Sequence, residues 1–253
     1  MNILDRILEN KRWEIAKRKE NYPISFLEKQ NRNQPHTSLY KAISTSKFSL
    51  ICEFKRRSPS TGIINTDLSP DECAIRYTNF GAAGISILTD KKYFDGSLKD
   101  LARAKNSTHL PILRKDFIID DYQLTEAWKA GADAILLIAD ILDLATLTNF
   151  YHKAKDIGLE VLVEVHSVKH AFKLNSFKPE MVGVNCRDLN TMTTNLNWFE
   201  KMRSLLPSNT ICVAESGIST KADINFVSGL GYNAALIGSS IMQDPSLLNE
   251  LSG

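Results

Sequence analysis

Eight short apolar runs, each followed by a helix-like segment, constrain the fold of this chain more than any other feature. Consecutive runs end about 21 to 36 residues apart, which is the spacing of strand–helix units. Short apolar strands that alternate with helices predict a parallel sheet covered by helices. The runs cover residues 49–53, 81–89, 110–117, 131–139, 160–165, 181–188, 211–217 and 234–240.

The segments between the runs carry residues that start and stop helices. Ser69 and Pro70 form an N-cap and first turn, and Gly81 ends that helix. Eight units of this kind in 253 residues favour a closed barrel over an open, doubly wound sheet. The first strand–helix junction also lacks the G-x-G-x-x-G fingerprint of an open dinucleotide-binding sheet. We therefore predict an α/β fold, a (β/α)8 TIM barrel, as a single domain over residues 1–253.

The first 47 residues precede the barrel, which we place at residues 48–253. Apolar residues recur at helical spacing between residues 2 and 20, a pattern typical of an amphipathic surface helix. Residues 21–47 contain Pro23 and Pro35 and predict an irregular connector, with short helices near Phe26 and Leu39. The chain is thus expected to begin with an N-terminal helical extension.

Charge and cysteine content exclude several classes of function. Lys and Arg total 31 against 29 Asp and Glu, so nothing indicates a nucleic-acid surface or a polybasic membrane patch. The amino terminus lacks a signal-peptide core, and no apolar run is long enough to span a membrane. The cysteines form no C-x-x-C pair and are expected to be reduced core residues: Cys52, Cys73, Cys186 and Cys212. We expect a cytoplasmic protein with a small-molecule partner; its oligomeric state stays open, and a monomer is plausible.

Polar residues stand at the carboxyl ends of the predicted strands, where barrels of this kind carry their chemistry. Each alone could be a salt bridge at the rim, but barrel closure would bring them to one mouth. They are Glu53, Lys55, Lys115, Glu164, Asn185, Arg187 and Glu215. Strand alternation places Glu53 and Lys55 on one side. On the third strand Lys115 shares a face with Phe117, and Arg114 shares the other with Asp116; the pattern leaves open which face is inside.

Two glycine-containing turns follow the last two strands. Ser216-Gly217 and Gly238-Ser239 each precede a helical segment, so exposed backbone N–H groups and a helix amino terminus could hold an anion. Each alone could be a plain tight turn, but strands 7 and 8 are where barrels commonly hold phosphate. The pair therefore predicts a phosphate site.

Metal binding is not favoured. His166 and His170 are four residues apart and could share a helix face, but there is no H-E-x-x-H motif and no third ligand. We interpret both as surface or capping histidines and expect neither metal nor cofactor.

Six ordered motifs resemble the indole-3-glycerol phosphate synthase family over nearly the whole chain. They are E-F-K-R-R-S-P-S at 53–60, L-P-I-L-R-K-D-F-I at 110–118, E-V-L-V-E-V-H at 160–166, V-G-V-N-C-R-D-L at 182–189, A-E-S-G-I at 214–218 and A-L-I-G-S-S-I-M at 235–242. That family acts in tryptophan biosynthesis and needs no cofactor. It converts 1-(2-carboxyphenylamino)-1-deoxyribulose 5-phosphate to indole-3-glycerol phosphate, with loss of CO₂ and water.

The resemblance implies a role for each residue. Lys115 is similar to the general acid that protonates the substrate ketone, and Glu164 to the carboxylate that handles protons in the dehydration. Glu53 and Lys55 resemble a second pair, with Lys55 also near the phosphate; which lysine serves which step stays open. Asn185 is grouped with these catalytic residues and resembles the family residue that hydrogen-bonds substrate. The remaining positions resemble binding residues. Ser58 and Arg187 would lie near the substrate carboxylate, and Glu215 would form a polar wall. Phe94, Phe117 and Leu136 would form an apolar bed for the anthranilate ring, and Ser216, Gly217, Gly238 and Ser239 would take the phosphate.

A lysine acts as an acid near neutral pH when its pKa is lowered, and we expect the apolar barrel mouth to do this for Lys115. The loop at 56–62 is expected to be a mobile cover over the site. Two alternatives remain. A barrel similar to phosphoribosylanthranilate isomerase would require a Cys/Asp pair at the strand ends, and a non-catalytic phosphosugar-binding barrel would not need both lysines and both glutamates.

Overall fold

The computed structural model describes residues 2–29, 31–188 and 191–251. Its main sheet is a closed barrel of eight parallel strands in the order β1-β10-β9-β8-β7-β6-β5-β4, with β4 pairing back to β1. The strands are β1 Ser49–Phe54, β2 Arg57–Ser58, β3 Gly62–Ile63, β4 Gly84–Leu88, β5 Ile112–Lys115, β6 Ala134–Ile138, β7 Glu160–Val165, β8 Met181–Asn185, β9 Ile211–Glu215 and β10 Ala234–Ile237. The predicted TIM barrel is confirmed.

Helices alternate with the barrel strands and pack around them. They are α1 Ile3–Asn21, α2 Ile24–Glu28, α3 Leu39–Ser44, α4 Pro70–Phe80, α5 Lys91–Phe94, α6 Leu98–Asn106, α7 Tyr122–Ala130, α8 Leu144–Asp156, α9 Val168–Leu174, α10 Asn197–Arg203, α11 Lys221–Gly229, α12 Ser239–Gln243 and α13 Leu247–Leu251. The start and stop signals of α4 are confirmed, since the Ser69 side chain accepts the Glu72 N–H and Gly81 is left-handed. No helix within the described ranges combines the length and apolar character needed to cross a membrane.

Alternating strand residues form two apolar layers. The inner layer fills the barrel and includes Ile51, Leu113, Leu136, Leu162, Val213 and Leu236. The outer layer joins strands to helices and contains Phe54 and all four cysteines, which are free and buried. Lys115 therefore faces the axis with Leu113, whereas Arg114 and Asp116 face outward and are fully buried.

The N-terminal extension contacts both ends of the barrel. At the amino ends of the strands, Leu39 and Ile43 of α3 join the inner apolar layer, and the Tyr40 N–H donates to Glu160 at the start of β7. At the carboxyl ends, the first turn of α1 lines the cavity described below through Ile3 and Ile7. The predicted long helix and the two short helices of the connector are confirmed.

Several strands end before their apolar runs do, and in two of them side chains take over the backbone donors at the carboxyl end. β5 stops at Lys115, and the Asp116 carboxylate accepts the next N–H, that of Phe117. β8 stops at Asn185, whose Oδ1 accepts the N–H of Arg187. Such local side-chain bonds replace a ladder bond with a turn. They turn the chain into the loops that surround the mouth.

Candidate active site

A cavity of about 360 Å³ opens at the carboxyl ends of the barrel strands. Every residue predicted for the site lines it: Glu53, Lys55, Ser58, Phe94, Lys115, Phe117, Leu136, Glu164, Asn185, Arg187, Glu215, Ser216, Gly217, Gly238 and Ser239. These residues come from all eight barrel strands or the loops after them. The structure thus brings the predicted residues together.

Lys115 lies at the centre of the polar wall, at the end of β5. Its Nζ is 2.7 Å from Glu164 Oε2 of β7 and 2.7 Å from Glu215 Oε2 of β9. Both carboxylates are almost completely buried, and the lysine is only slightly exposed. One ammonium group is therefore shared by two carboxylates at the base of the cavity.

Electrostatics at this centre correct one expectation from the sequence. Burial acts to lower the pKa of Lys115, but Glu164, Glu215 and Glu53 outweigh it and raise that pKa above its ordinary value. The expected lowered pKa of Lys115 is therefore wrong for the structure without substrate. Burial acts to raise the pKa of Glu164 as well, but Lys115 and His166 hold it well below the usual range.

Glu215 is the carboxyl group whose proton affinity rises. Burial raises its pKa to about 8, and the charge of Glu164 adds to the effect. Glu215 Oε1 has no hydrogen-bond partner among the described residues. Gly183 of β8 makes room for it, since a Cβ there would lie 1.9 Å from that oxygen. We did not single out Gly183 from the sequence, where the only signal was a glycine inside an apolar run.

Glu53 and Lys55 form a second ion pair on the opposite side of the mouth. Lys55 Nζ is 2.6 Å from Glu53 Oε1, and the Ser86 hydroxyl donates to Glu53 Oε2 at 3.5 Å. A Cβ at Gly238 would lie 2.5 Å from Glu53 Oε1, so the glycine of the last turn makes room for this carboxylate. The predicted common side of Glu53 and Lys55 is confirmed. Arg56 points the other way and binds Asp100 on α6.

His166 is the clearest departure from the sequence interpretation. It is not a surface or capping histidine, because it lines the cavity and its Nε2 is 2.6 Å from Glu164 Oε1. His170, four residues later, does fit the interpretation as a capping histidine. It lies on α9, and its Nδ1 contacts Asp140 and Ser167, the N-cap of that helix. Strand alternation could have found His166, since it follows Glu164 by two residues and continues its face.

The two glycine turns border the cavity with different geometry. Ser216 and Gly217 both have left-handed backbone, at φ +71° and φ +73°, which is costly for the serine. The helix α11 begins four residues later, after its N-cap Thr220, whose N–H donates to the Asp223 side chain and whose hydroxyl accepts the Asp223 N–H. The predicted helix amino terminus is therefore not at this turn. Gly238, in contrast, directly caps α12 as predicted.

The apolar wall of the cavity faces this polar mouth. The rings of Phe94 and Phe117 lie 6.2 Å apart at 40°, and Leu136 lines the floor with them. Ser58 stands in the β2–β3 hairpin, where its hydroxyl accepts the Thr61 N–H at 3.2 Å. The predicted loop cover is thus a short hairpin. Sequence reasoning missed the contribution of α1, whose first turn adds Ile3, Leu4 and Ile7.

The loop after β8 is held beside the cavity by Arg187, whose Nη1 donates to the Met192 carbonyl at 2.8 Å. In the part of the chain that the structure describes, no group of three or more His, Cys, Asp or Glu side chains is placed to hold a metal ion.

Comparison with known proteins places this architecture in a family. The family model of indole-3-glycerol phosphate synthase matches residues 4–252. The chain belongs to the indole-3-glycerol phosphate synthase family. The synthase of Bacteroides thetaiotaomicron is 40% identical over 245 residues, covering 96% of this chain and 94% of that protein. The synthase of Geobacillus sp. strain WCH70 is 43% identical over 232 residues, covering 90% of each.

Solved structures with low identity agree on the fold alone. The 3-hexulose-6-phosphate synthase of Salmonella typhimurium matches with a TM-score of 0.64 at 15% identity, covering 80% of this chain and 94% of that one. The N-acetylmannosamine-6-phosphate 2-epimerase of Clostridium perfringens matches with a TM-score of 0.62 at 16% identity, covering 86% and 96%. Family membership confirms the resemblance read from the motifs. This family member is an indole-3-glycerol phosphate synthase, a carboxy-lyase of tryptophan biosynthesis, and neither the isomerase nor the non-catalytic alternative is supported.

Proposed function

We propose that the cavity at the barrel mouth is where this chain closes the indole ring, with Lys115 as the general acid. The observation that carries the proposal is the Lys115 ammonium group, which lies 2.7 Å from both Glu164 and Glu215 beside an apolar pocket. The proposed substrate is 1-(2-carboxyphenylamino)-1-deoxyribulose 5-phosphate. Its aromatic ring would pack on Phe94, Phe117 and Leu136.

Ring closure needs a proton donor at the substrate ketone. As the ring carbon attacks the carbonyl carbon, the carbonyl oxygen develops the charge of an alkoxide, which is a stronger base than a lysine amine. A lysine with a raised pKa is fully protonated at neutral pH and can therefore donate at that moment. The carboxylates of Glu164 and Glu215 aim the Lys115 ammonium group at one place, which reduces the cost of orientation.

The later steps fit the same cluster. CO₂ leaves once the new carbon–carbon bond exists, and the hydroxyl group formed from the ketone must then depart as water. Because that hydroxyl received its proton from Lys115, it lies within reach of Glu164, whose Oε2 contacts the same ammonium group at 2.7 Å. We assign to Glu164 the proton that turns the hydroxyl into water. The methylene carbon beside the ring nitrogen finally releases a proton, which restores the Lys115 ammonium, and the nitrogen keeps its hydrogen.

The remaining residues bind and orient the substrate in this proposal. Backbone groups of Ser216, Gly217, Gly238 and Ser239 hold the phosphate, assisted by the charge of Lys55. Glu53 fixes Lys55 through their 2.6 Å contact. Asn185 hydrogen-bonds the substrate and Glu215 adds a polar wall. Ser58 and Arg187 lie near the substrate carboxylate.

We further propose that the substrate is taken up as a free phosphosugar derivative in the cytoplasm. The four free buried cysteines fit a reducing compartment. The balance of 31 basic and 29 acidic residues provides no broad cationic surface for nucleic acid or membrane. A monomer is our working hypothesis for the active form.

The test combines product formation with one matched pair of variants. Purified protein mixed with the carboxyphenylamino-deoxyribulose phosphate should produce indole fluorescence, and Lys115→Ala should lower turnover by about 10²- to 10⁴-fold. Lys153→Ala, which removes an exposed lysine paired with Asp121, should leave turnover unchanged. Circular dichroism checks that both variants fold. Unchanged turnover in Lys115→Ala would overturn its role, and no indole from the wild type would overturn the function.

A further inference from the structure

His166 makes contacts with both ring nitrogens at the edge of the cavity. Its Nε2 is 2.6 Å from Glu164 Oε1, and its Nδ1 is 3.3 Å from the carbonyl oxygen of Arg187. Its backbone N–H donates to Asp140 at 2.9 Å. The imidazole ring is therefore held in one orientation between β7 and the loop after β8, with only 9% of its side chain exposed.

These two contacts determine where hydrogen atoms lie. A carbonyl oxygen only accepts hydrogen bonds, so Nδ1 carries a hydrogen and donates it to Arg187. Nε2 then faces Glu164 Oε1, and two lone pairs at 2.6 Å would repel each other. One further proton must lie between these two atoms, bound either as imidazolium or as carboxylic acid. The short distance fits a charge-assisted bond.

The charges around His166 favour the protonated imidazole. Glu164 faces the ring from β7 and Asp140 from the loop after β6. Arg187, in the loop after β8, faces it with its carbonyl oxygen, and Lys115 lies beyond Glu164. Burial acts to lower the pKa of His166, but the carboxylates of Glu164 and Asp140 outweigh it and raise that pKa.

The proposed reaction consumes one proton in each turnover. The substrate carboxylate leaves as neutral CO₂, and the ketone oxygen leaves as water. Two protons enter, one at the ketone and one at the departing hydroxyl, and one is released from the methylene carbon beside the ring nitrogen. The one net proton must come first from the protein and finally from solvent, although the acid–base groups are almost completely buried.

We propose that His166 is a positioning residue that stores the proton consumed in dehydration, passing it to Glu164 and recovering it from solvent. This inference rests on the proposed function. The proton moves from Nε2 to the Glu164 carboxylate, and the carboxyl group so formed gives this same proton to the departing hydroxyl, which leaves as water. The neutral imidazole then takes a proton from solvent. His166 never touches substrate, and it also fixes the Glu164 carboxylate so that Oε2 faces Lys115.

Kinetics of a glutamine variant separate storage from positioning. In His166→Gln the amide can still donate to Glu164 Oε1 but cannot transfer a proton, so kcat should fall about 10²-fold while KM changes little. The store is full below the pKa of His166 and empties as pH rises through it, so the alkaline limb of the wild-type kcat profile should be altered in the variant. His152→Gln, an exposed histidine on α8, should match wild type. A His166→Gln rate and pH profile equal to wild type would overturn the storage role.

A measurement without substrate keeps this inference separate from the proposed function. ¹⁵N NMR of the substrate-free protein, with the His166 signals assigned by their loss in His166→Gln, should show both ring nitrogens protonated at pH 7. Glu164→Gln should bring the titration of His166 down toward pH 6.5. A neutral His166 ring at pH 7 in the wild type would overturn the proton store, whatever the outcome of the activity assay.

Discussion

Two buried lysines lie on opposite sides of the carboxyl end of β5, and they illustrate different uses of the same charges. Lys11 of α1 is 1% exposed and forms ion pairs with Asp90 at 2.7 Å and Asp116 at 2.9 Å. Lys115 forms ion pairs with Glu164 and Glu215. Neighbouring carboxylates raise the pKa of both lysines against the effect of burial. The two lysines therefore have closely similar charge environments.

The carboxylates around them differ in how well they are satisfied. In the outer cluster, which we define as Lys11, Asp90, Arg114 and Asp116, the Asp116 carboxylate also accepts from Thr89, Arg114 and its neighbour Phe117. In the mouth cluster we include Lys115, Glu164, Glu215 and His166. Among the residues that the structure describes, one buried carboxylate oxygen in each cluster lacks a hydrogen-bond partner, Asp90 Oδ2 and Glu215 Oε1, but Asp90 Oδ2 lies 2.7 Å from Lys11 Nζ. A buried lysine between carboxylates therefore does not mark a catalytic site; an adjoining cavity does.

The largest expected effect concerns the stability of the outer cluster. Lys11→Met should lower the free energy of unfolding by about 3–5 kcal/mol, because it leaves the buried Asp90 without its cation and Asp116 with Arg114 alone. Lys115→Met should cost much less, since carboxylates beside the cavity can take up protons or contact water. Urea unfolding at pH 7 measures both changes.

The matched control for this pair is Lys17→Met on the same helix. Lys17 is 53% exposed and, among the residues that the structure describes, pairs only with the exposed Glu20, so the change should lie within about 0.5 kcal/mol of wild type. Equal losses from Lys11→Met and Lys115→Met would show that the two clusters do not differ as argued.

The barrel could be predicted from the sequence because its signals are local and repeated. Each strand is a short apolar run, and several helices carry their own caps, as Ser69 and Gly81 do for α4. The strand ends were harder to place. The side chains of Asp116 and Asn185 bond to backbone N–H groups there, which turns the chain out of the sheet, and periodicity carries no information about such contacts.

The site was predicted less completely, because part of it depends on contacts between distant segments. Motif resemblance supplied the residues on the strand ends, and all of them line one cavity. It did not reveal Gly183, whose importance comes from the position of Glu215 on the next strand. Nor did it reveal the first turn of α1, which reaches the cavity only after the extension folds over the barrel. The pKa of Lys115 was expected to fall because the second carboxylate, Glu215, was not placed against it.

A second prediction tests whether the mouth cluster needs the space that Gly183 leaves for the Glu215 carboxylate. Gly183→Ala should lower kcat/KM by about 10²-fold, because the new Cβ would lie 1.9 Å from Glu215 Oε1 and displace the carboxylate that orients Lys115. Gly229→Ala is the control, since a Cβ there meets no atom of the described part of the chain within 4 Å. Steady-state kinetics and thermal melting separate loss of activity from loss of fold. Activity within twofold of wild type would mean that Glu215 does not orient Lys115.

The smallest expected effect uses the opposite pH behaviour of the two clusters. The pKa of Asp116 is lowered by Lys11 and Arg114 despite burial, so its contribution to stability is present above the ordinary aspartate pKa and is lost only in acid. The pKa of Glu215 is raised to about 8, so the native state binds a proton that the unfolded chain releases, and stability falls as pH rises from about 4.5 to 8.

Glu215→Gln should remove the fall in stability that the ionisation of Glu215 causes, because the amide resembles the protonated acid and cannot ionise. Between about pH 5.5 and 7.5 the wild type should lose roughly 1 to 2 kcal/mol of unfolding free energy relative to the variant. Urea unfolding of both proteins at the two pH values gives the difference, in which groups that titrate alike in both proteins cancel. Parallel pH dependences would contradict a raised pKa at Glu215. The mouth cluster would then resemble the outer cluster in its protonation, and its distinct chemistry would have to come from the cavity alone.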